Sequence, residues 1–451
     1  MEMDIGRQWQ KNMKLIMRRF SGAGFYCVLK FPAIAVLIML LACPIQIWAA
    51  GTSYDIGGGR NDYPAITALL ENIELRAGDV VNIYPGIYFD LFSVGADNYG
   101  DQLNHVLIRG VDQNGDPIDS PQETVVFDRT GKNVGEELDI FGDNITLQGL
   151  CVRNSSEVAV QTNSANTVLR HILFKNNSCS LQTKINSENI TVEYCEFSSS
   201  GKLVQSHDIY GLHADKLTIQ FCYFHDAPSP VYNIIKSRDY QVHILYNYIE
   251  MGVAPYAIDL PHNEISSLNQ NAYVVGNIIK RTQISSDGGF SYIKFNQETG
   301  ARNGNIFIIN NTFVDEAGVV GAAFSMKLEA GYSWEIDNNI FCGIHDLTRD
   351  ATHIGSLAGR NNLLMLNVPP DGLTGSIFSD DPRFDTSYKL LSNSPAINAG
   401  YSPTSIVPVF QYSNSEAGIS RPSAGAIDIG AFEYTEADLT PPAEPGGLGV
   451  K

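Results

Sequence analysis

NITVEYCEF, at residues 189–197, has a polar residue first and apolar residues at its second, fourth, seventh and ninth places. The same pattern begins at seven other places: Asn144, Asn166, Lys216, Gln241, Asn271, Asn305 and Ser333. Neighbouring starts lie 22 to 34 residues apart, and a period of that length predicts a solenoid. Apolar residues at alternate places predict β-strands, because successive strand residues point to opposite faces.

One copy of this pattern cannot bury its apolar face, so the copies must stack as the coils of a solenoid. Strands of neighbouring coils then pair at about 4.8 Å. We therefore predict an all-β fold, a single-stranded right-handed parallel β-helix, with its clearest coils over residues 144–341. Because a solenoid grows by adding coils, we expect one long domain over residues 51–435.

The seventh place of the pattern is expected to point inward where the strand turns. It carries Leu150, Ile172, Cys195, Cys222, Asn247, Asn277, Asn311 and Asn339. We expect the four Asn amides to form a structural hydrogen-bond ladder along the axis, since polar groups in a dry interior need partners. At Cys195 and Cys222 we expect two stacked buried thiols, with a disulfide as the alternative.

The first 50 residues have the features of a secretory signal peptide. Basic residues precede an apolar run over residues 31–42, and the small residues Ala49 and Ala50 end the segment. The run is short for a membrane span, so we expect no transmembrane segment in the mature chain. The sequence around Cys43 also resembles a bacterial lipobox, which makes lipid anchoring at Cys43 the alternative to secretion.

Both ends of the proposed domain have distinct patterns. Residues 63–77 have apolar residues at helical spacing after Pro64, which predicts a short helix that caps the solenoid. Residues 390–435 depart from the repeat and are interpreted as a closing segment. Residues 436–451 are rich in Pro and Gly and are expected to form a flexible tail.

The chain is strongly acidic, with 49 Asp and Glu against 30 Lys and Arg and a formal net charge of −19. Since the first 50 residues are net positive, the remainder is more acidic still. Such a charge repels nucleic acid and anionic membrane surfaces, so nucleic acid is not an expected partner.

Four short strands that precede copies of the pattern end in a charged residue. They read NIIK, YAID, SYIK and FSMK, and end at Lys236, Asp259, Lys294 and Lys327. If they align, these residues form a column along the axis, with His213 one coil earlier. A cationic stripe on an acidic chain indicates an anionic polymer, most simply a uronic-acid polysaccharide. In the alternative interpretation, the lysines are solvated residues that discourage edge pairing.

Three segments, with the coils between them, carry a family resemblance. They are AGDVVNIYPGIY at residues 77–88, SPAINAG at 394–400 and IDIGAFEY at 427–434. The chain resembles secreted bacterial right-handed parallel β-helix repeat proteins of pectate-lyase-like fold. This resemblance implies the fold and leaves the activity open.

NIIKSRDYQVHILYNYIEM, at residues 233–251, is also similar to the catalytic-lysine strand of the chondroitinase B and alginate lyase family. In that family a lysine base precedes a serine, so the resemblance implies that Lys236 is the base of a β-elimination. The family's arginine lies on the next coil, where this chain has Asp259, and we therefore assign Arg238 to neutralise the substrate carboxylate. We expect His213, Asp259, Lys294 and Lys327 to bind substrate.

Some lyases of this fold use Ca²⁺, which needs several oxygen ligands. Asp259 and Glu264, with Asp239, are the candidate ligands. A non-catalytic carbohydrate-binding or adhesive surface protein is the alternative function. Glycoside hydrolysis is disfavoured, because the sequence lacks the set of clustered carboxylates that it requires.

Overall fold

The computed structural model describes most of the chain after residue 50, and the residues described there belong to one compact unit. The described residues are 51–59, 62–132, 138–199, 206–228, 233–263, 269–284, 291–296, 302, 304–318, 321–326, 333–349, 356–365, 371–402, 406–413, 418–422 and 425–435. Within them, no helix is long and apolar enough to cross a membrane. The signal peptide, Cys43, Glu264, Lys327 and the tail after residue 435 lie outside the described residues.

Three long sheets of parallel strands form the described architecture. Sheet A contains β1 (Ser53–Ile56), β2 (Val80–Ile83), β5 (Val106–Gly110), β8 (Ile145–Gln148), β11 (Val168–Arg170), β14 (Ile190–Glu193), β17 (Lys216–Gln220), β20 (Gln241–Leu245), β23 (Asn271–Val275), β26 (Ile306–Ile309), β29 (Ser333–Asp337), β32 (Ser356–Arg360) and β34 (Leu373–Thr374).

Sheet B contains β3 (Gly86–Tyr88), β6 (Val125–Asp128), β9 (Cys151–Arg153), β12 (Leu173–Lys175), β15 (Glu196–Ser198), β18 (Tyr223–His225), β21 (Tyr248–Glu250), β24 (Ile278–Arg281), β27 (Thr312–Asp315), β30 (Ile340–Cys342), β33 (Leu363–Leu364) and β35 (Ile377–Phe378). Sheet C contains β4 (Ser93–Val94), β7 (Leu138–Ile140), β10 (Val158–Thr162), β13 (Cys179–Thr183), β16 (His207–Gly211), β19 (Asn233–Ser237), β22 (Tyr256–Pro261), β25 (Ser291–Asn296), β28 (Ala322–Met326) and β31 (Asp346–Arg349). A small antiparallel pair, β36 (Phe410–Gln411) and β37 (Ile419–Ser420), lies near the C-terminal end.

Each coil passes from sheet A to sheet B and then to sheet C, as β17, β18 and β19 illustrate. Like residues stack inside: the rings of Phe174, Phe197 and Phe224 are parallel, with centroids 4.8 and 4.5 Å apart, and all three are fully buried. The predicted right-handed parallel β-helix is confirmed. The nine-residue pattern is the strand of sheet A, the following turn and the strand of sheet B.

The predicted asparagine ladder occupies the turn from sheet A to sheet B. Asn247, Asn277, Asn311 and Asn339 each accept a hydrogen bond at Oδ1 from the backbone N–H of the preceding coil, at 2.8 to 2.9 Å. The ladder continues to Asn362, which accepts from the Asn339 amide at 2.9 Å. Cys195 and Cys222 are free buried thiols at the same place, as expected.

The residue before each ladder position adopts a left-handed conformation, which sharpens this turn. Aromatic residues fill it in consecutive coils, with φ between 53° and 55° at His171, Tyr194, Phe221 and Tyr246. Bulky residues seldom adopt this conformation. Here their rings stack along the axis, with centroids 5.2, 5.0 and 5.4 Å apart, and the stacking stabilises the turn.

The N-terminal helix is present but shorter than predicted. Helix α1 covers Ile66–Leu70, whereas the pattern predicted a helix over residues 63–77. Ile66 and Leu69 are buried in the core, so α1 covers the apolar side chains before the first coil. The helix does not continue to residue 77, because the amides of Leu75 and Arg76 donate to Asn98 and Asp79, at 2.7 and 2.8 Å, and not to helix carbonyls.

The closing segment runs back along the coils outside the sheet A to sheet B turn. The amides of Gly418 and Val409 donate to the hydroxyl oxygens of Tyr194 and Tyr246, at 3.0 and 3.2 Å. Arg421 is buried and donates from Nε to Glu433 at 2.7 Å. The segment is therefore tied to coils far from it in the chain.

Candidate functional site

Sheet C carries the charged residues that the sequence analysis selected. Ile209, Ile235, Ile258 and Ile293 are paired across neighbouring strands and are fully buried. Because successive residues of a strand point to opposite faces, the residue after each Ile lies on the outer face. The stacked Ile side chains thus fix the register of the outer residues.

The register aligns four residues on adjacent coils, which we call the sheet C column. Tyr210 lies beside Lys236, Lys236 beside Asp259, and Asp259 beside Lys294. The predicted alignment of Lys236, Asp259 and Lys294 is confirmed.

The predicted continuation of the column to Lys327 is wrong. Ser325 lies beside Lys294, since buried Phe324 pairs with Ile293 and sets the register of β28. Lys327 follows Ser325 by two residues and lies outside the described residues.

Asp259 is the charged centre of the column, although only 1% of it is exposed. Its Oδ2 accepts a hydrogen bond from Asn233 Nδ2 at 2.8 Å and lies 3.6 Å from Lys294 Nζ. Lys236 lies on the other neighbouring coil. The column therefore has one carboxylate between two lysines, in contrast to the acidic chain as a whole.

Two tyrosines that the sequence analysis missed accompany the lysines. Lys236 Nζ lies 5.7 Å from the centre of the Tyr210 ring, and Lys294 Nζ lies 4.9 Å from that of Tyr256. Both contacts are within the range of cation–π attraction. The sequence contained a usable signal, since Tyr210 stands in HDIYG at the place that Lys236 occupies in NIIKS.

Arg238 and His213 lie at the edge of sheet C and not in the column. Arg238 follows the end of β19, and its Nη1 donates to the backbone oxygen of His262 on the next coil at 2.7 Å. His213 follows β16 in a left-handed turn with φ of 70°. Both residues therefore belong to the turns that connect sheet C to sheet A.

A buried arginine supports these turns from inside. The guanidinium of Arg302 is fully buried and donates to the backbone oxygens of Ser237, Asp239, Pro261 and Gln270, at 2.8 to 3.1 Å. Burial lowers the pKa of Arg302 to about 9, an effect that the nearby Asp239 carboxylate opposes. Arg302 thus joins the turns that carry Arg238 and His262, and sequence reasoning did not identify it.

The described residues do not fit a calcium site. Asp239 is fully buried, and its oxygens accept hydrogen bonds from Ser237, Thr183 and the Ala214 amide at 2.9, 3.3 and 2.6 Å. Burial raises the pKa of Asp239 to about 6, which opposes the charged form that Ca²⁺ needs. No group of three His, Cys, Asp or Glu within the described ranges could hold a metal ion.

A cavity of about 650 Å³ lies elsewhere, between sheet B and the closing segment. None of the sheet C residues described above lines it. The column is therefore separate from this cavity.

No protein-family model matches this chain, and no curated protein matches it in sequence. The crystal structure of pectate lyase Pel9A matches it with a TM-score of 0.54 and 14% identity, over 86% of this chain and 97% of that chain. An alginate lyase from Paenibacillus sp. str. FPU-7 matches with a TM-score of 0.48 and 12% identity, over 70% and 99% of the two chains. A tailspike protein of E. coli bacteriophage HK620 matches with a TM-score of 0.46 and 16% identity, over 74% and 62%. The first match shows a shared fold, and at this identity it shows the fold alone.

Proposed function

We propose that this chain is a secreted protein that acts on an acidic polysaccharide lying along the sheet C column. The observation that carries the proposal is the alignment of Lys236, Asp259 and Lys294 on adjacent coils. Because strands of a sheet lie about 4.8 Å apart, the two lysines are about 10 Å apart along the axis. Cations at such a spacing can contact successive parts of an extended anionic polymer.

The enzymatic form of this proposal is β-elimination at a uronate. Lys236 removes the proton from C5, the C5–H electron pair forms the C4–C5 double bond, and the C4–O bond breaks. The leaving oxygen takes up a proton, and the new chain end is an unsaturated uronate. Lys236 is suited to this role because it is half-buried beside Tyr210 and lies on the accessible face of sheet C.

The substrate carboxylate requires a cation nearby, and Arg238 is assigned this role. One guanidinium N–H group binds the His262 carbonyl. A guanidinium has five N–H groups in a planar fork, so this bond is compatible with binding a carboxylate. Lys294 and Asp259 bind neighbouring parts of the polymer, and His213 contributes from the turn.

A non-catalytic carbohydrate-binding or adhesive protein is the second candidate function. The observation that favours it is the pairing of Lys294 with Asp259 and of Arg238 with a backbone oxygen. Such contacts hold side chains in a structural role. In this case the column binds polymer collectively, and no single lysine is essential.

The deciding experiment follows the ultraviolet absorbance of the unsaturated product with alginate, pectate and chondroitin as substrates. The Lys236→Ala variant is compared with Lys216→Ala, a control that removes another half-buried lysine, from sheet A. Product that forms with the wild type and with Lys216→Ala, but not with Lys236→Ala, supports the lyase. Polymer binding without product in every protein supports the binding function, and neither binding nor product contradicts both.

A further inference from the structure

The cavity between sheet B and the closing segment is a cleft that runs along the axis, and we call it the sheet B cleft. Its inner wall includes Glu196, Tyr223, Tyr248 and Ile278, which are paired in one column on four adjacent coils. With His171 one coil earlier, the wall covers five coils. At about 4.8 Å per coil, the cleft is about 19 Å long.

The outer wall of the cleft is held in a defined position. It includes Gln411, Tyr412 and Phe432 of the closing segment, and Lys389 just before that segment. The segment is fixed on the coils by the Ala431 amide, which donates to Thr312 at 3.0 Å, in addition to the bonds with the turn tyrosines. The cleft is therefore a built feature of the fold.

Aromatic rings supply most of the large side chains of the cleft. The Tyr248 ring packs against Tyr412 of the closing segment and against Tyr223 of the neighbouring coil, with ring centroids 5.5 Å apart in each case. The flat faces of such rings pack against the C–H faces of sugar rings, while their hydroxyl groups can form hydrogen bonds. A volume of about 650 Å³ is within the range of ordinary ligand sites.

Two carboxylates lie on the inner wall, and each is oriented by a neighbour. Glu196 Oε1 lies 3.2 Å from His225 Nε2, and Glu250 accepts a hydrogen bond from the Tyr223 hydroxyl at 3.3 Å. Lys280 Nζ lies 2.9 Å from Glu250. Oriented carboxylates accept hydrogen bonds from sugar hydroxyl groups. Because Lys280 and His225 lie against these carboxylates, the two pairs present little net charge to a ligand, whereas lysines predominate in the sheet C column.

We propose that the sheet B cleft binds a neutral glycan, which lies along the solenoid axis with its sugar faces against Tyr223, Tyr248 and Tyr412. Glu196 and Glu250 accept hydrogen bonds from its hydroxyl groups. The proposal does not depend on the function of the sheet C column, because the two surfaces belong to different sheets. One molecule would thus bind two chemically different carbohydrates.

Calorimetric titration of the full chain with neutral and acidic oligosaccharides tests this proposal. The neutral probes are cellohexaose, xylohexaose and mannohexaose, and the acidic probe is hexagalacturonate. We expect at least one neutral probe to bind, and Tyr248→Ala to weaken that binding about ten-fold. Tyr273→Ala is the matched control, since it removes a half-buried tyrosine of the next coil from sheet A.

A second, more conservative variant distinguishes a loss of binding from a loss of folding. Glu196→Gln keeps the size of the side chain and removes its charge, and we expect it to weaken binding of the neutral probe. Lys236→Ala is expected to leave that binding unchanged, which separates this test from that of the proposed lyase. The proposal is overturned if no neutral probe binds, if Tyr248→Ala and Tyr273→Ala bind equally, or if the cleft variants affect only hexagalacturonate.

Discussion

Asp259 and Lys294 form an ion pair at the centre of the sheet C column, with Oδ2 and Nζ 3.6 Å apart. The pair is unequal in exposure, since Asp259 is 1% exposed and the Lys294 side chain 18%. A buried carboxylate requires compensation, whereas a partly exposed lysine remains accessible to solvent. Asp259 therefore both holds Lys294 in place and reduces the positive charge that a polymer meets.

Replacing Asp259 with Asn tests whether this carboxylate reduces the positive charge that a polymer meets. Asp259→Asn removes the negative charge between Lys236 and Lys294, so we expect an acidic polymer to bind a few times more tightly. The dependence of affinity on salt concentration should also become steeper, because more uncompensated cations meet the polymer. Binding to pectate at two salt concentrations measures both quantities. Unchanged affinity at low salt would show that polymer does not approach this column.

Removing Lys294 tests how strongly Asp259 and Lys294 hold each other in place. Lys294→Met leaves the buried Asp259 without its cation and is expected to lower the free energy of unfolding by about 1–3 kcal/mol. In the Asp259→Asn background the same change should cost much less, since no buried charge is left uncompensated. Urea denaturation of the four proteins of this double-mutant cycle measures the coupling. Equal costs in the two backgrounds would show that the ion pair contributes nothing.

Replacing an asparagine in the middle of the ladder should lower the free energy of unfolding most. Asn311 accepts at Oδ1 from the backbone N–H and the Nδ2 of Asn277 and donates to the Val274 oxygen and to Asn339 Oδ1. Asn311→Ala leaves several buried groups without partners and should lower the free energy of unfolding by about 3 kcal/mol or more. The control is Asn82→Ala, at a half-buried site on sheet A, where we expect a loss of about 1 kcal/mol or less. Denaturation midpoints compare the two, and similar losses would argue against a structural ladder.

The buried carboxyl of Asp239 should make stability depend on pH. Burial raises its pKa from 3.8 to about 6, so between about pH 4 and pH 6 the unfolded chain loses this proton while the folded chain keeps it. Stability should therefore fall as pH rises through this window, by up to about 3 kcal/mol. Asp239→Asn has no such proton and should show a flatter profile.

Urea denaturation of the wild type and Asp239→Asn across this window measures the difference. Asp337, whose pKa burial also raises to about 6, is present in both proteins, so its effect cancels. Parallel profiles for the two proteins would contradict the prediction.

The sequence predicted those parts of the fold that depend on local periodicity. Alternating apolar residues predicted the strands, and the buried Ile side chains of NIIK, YAID and SYIK gave the register of Lys236, Asp259 and Lys294. The same reasoning failed at FSMK, where the position of the final lysine was used in place of the inward Phe324. A register is fixed by the buried side chains, and the charged residues follow it.

Long-range contacts could not be predicted from the periodicity. Arg302 stands outside every strand, and nothing local indicates that its guanidinium will bind carbonyl oxygens of several turns. The sheet B cleft requires Tyr412 and Tyr248 to meet, although a long stretch of sequence separates them. Helix α1 was predicted too long, since apolar spacing does not show where the chain must leave to begin β2.

The bond between the Gly418 amide and the Tyr194 hydroxyl joins residues 224 positions apart. In a simple solenoid each coil contacts only its neighbours, so folding can spread from coil to coil as the chain is synthesised. Here the middle coils acquire their outer partners only after the closing segment has left the ribosome. The strap formed by the closing segment also opposes fraying from the C-terminal end, because one late segment joins coils that would otherwise open independently. The solenoid is therefore expected to behave as a single cooperative unit, which is complete only when the closing segment has docked.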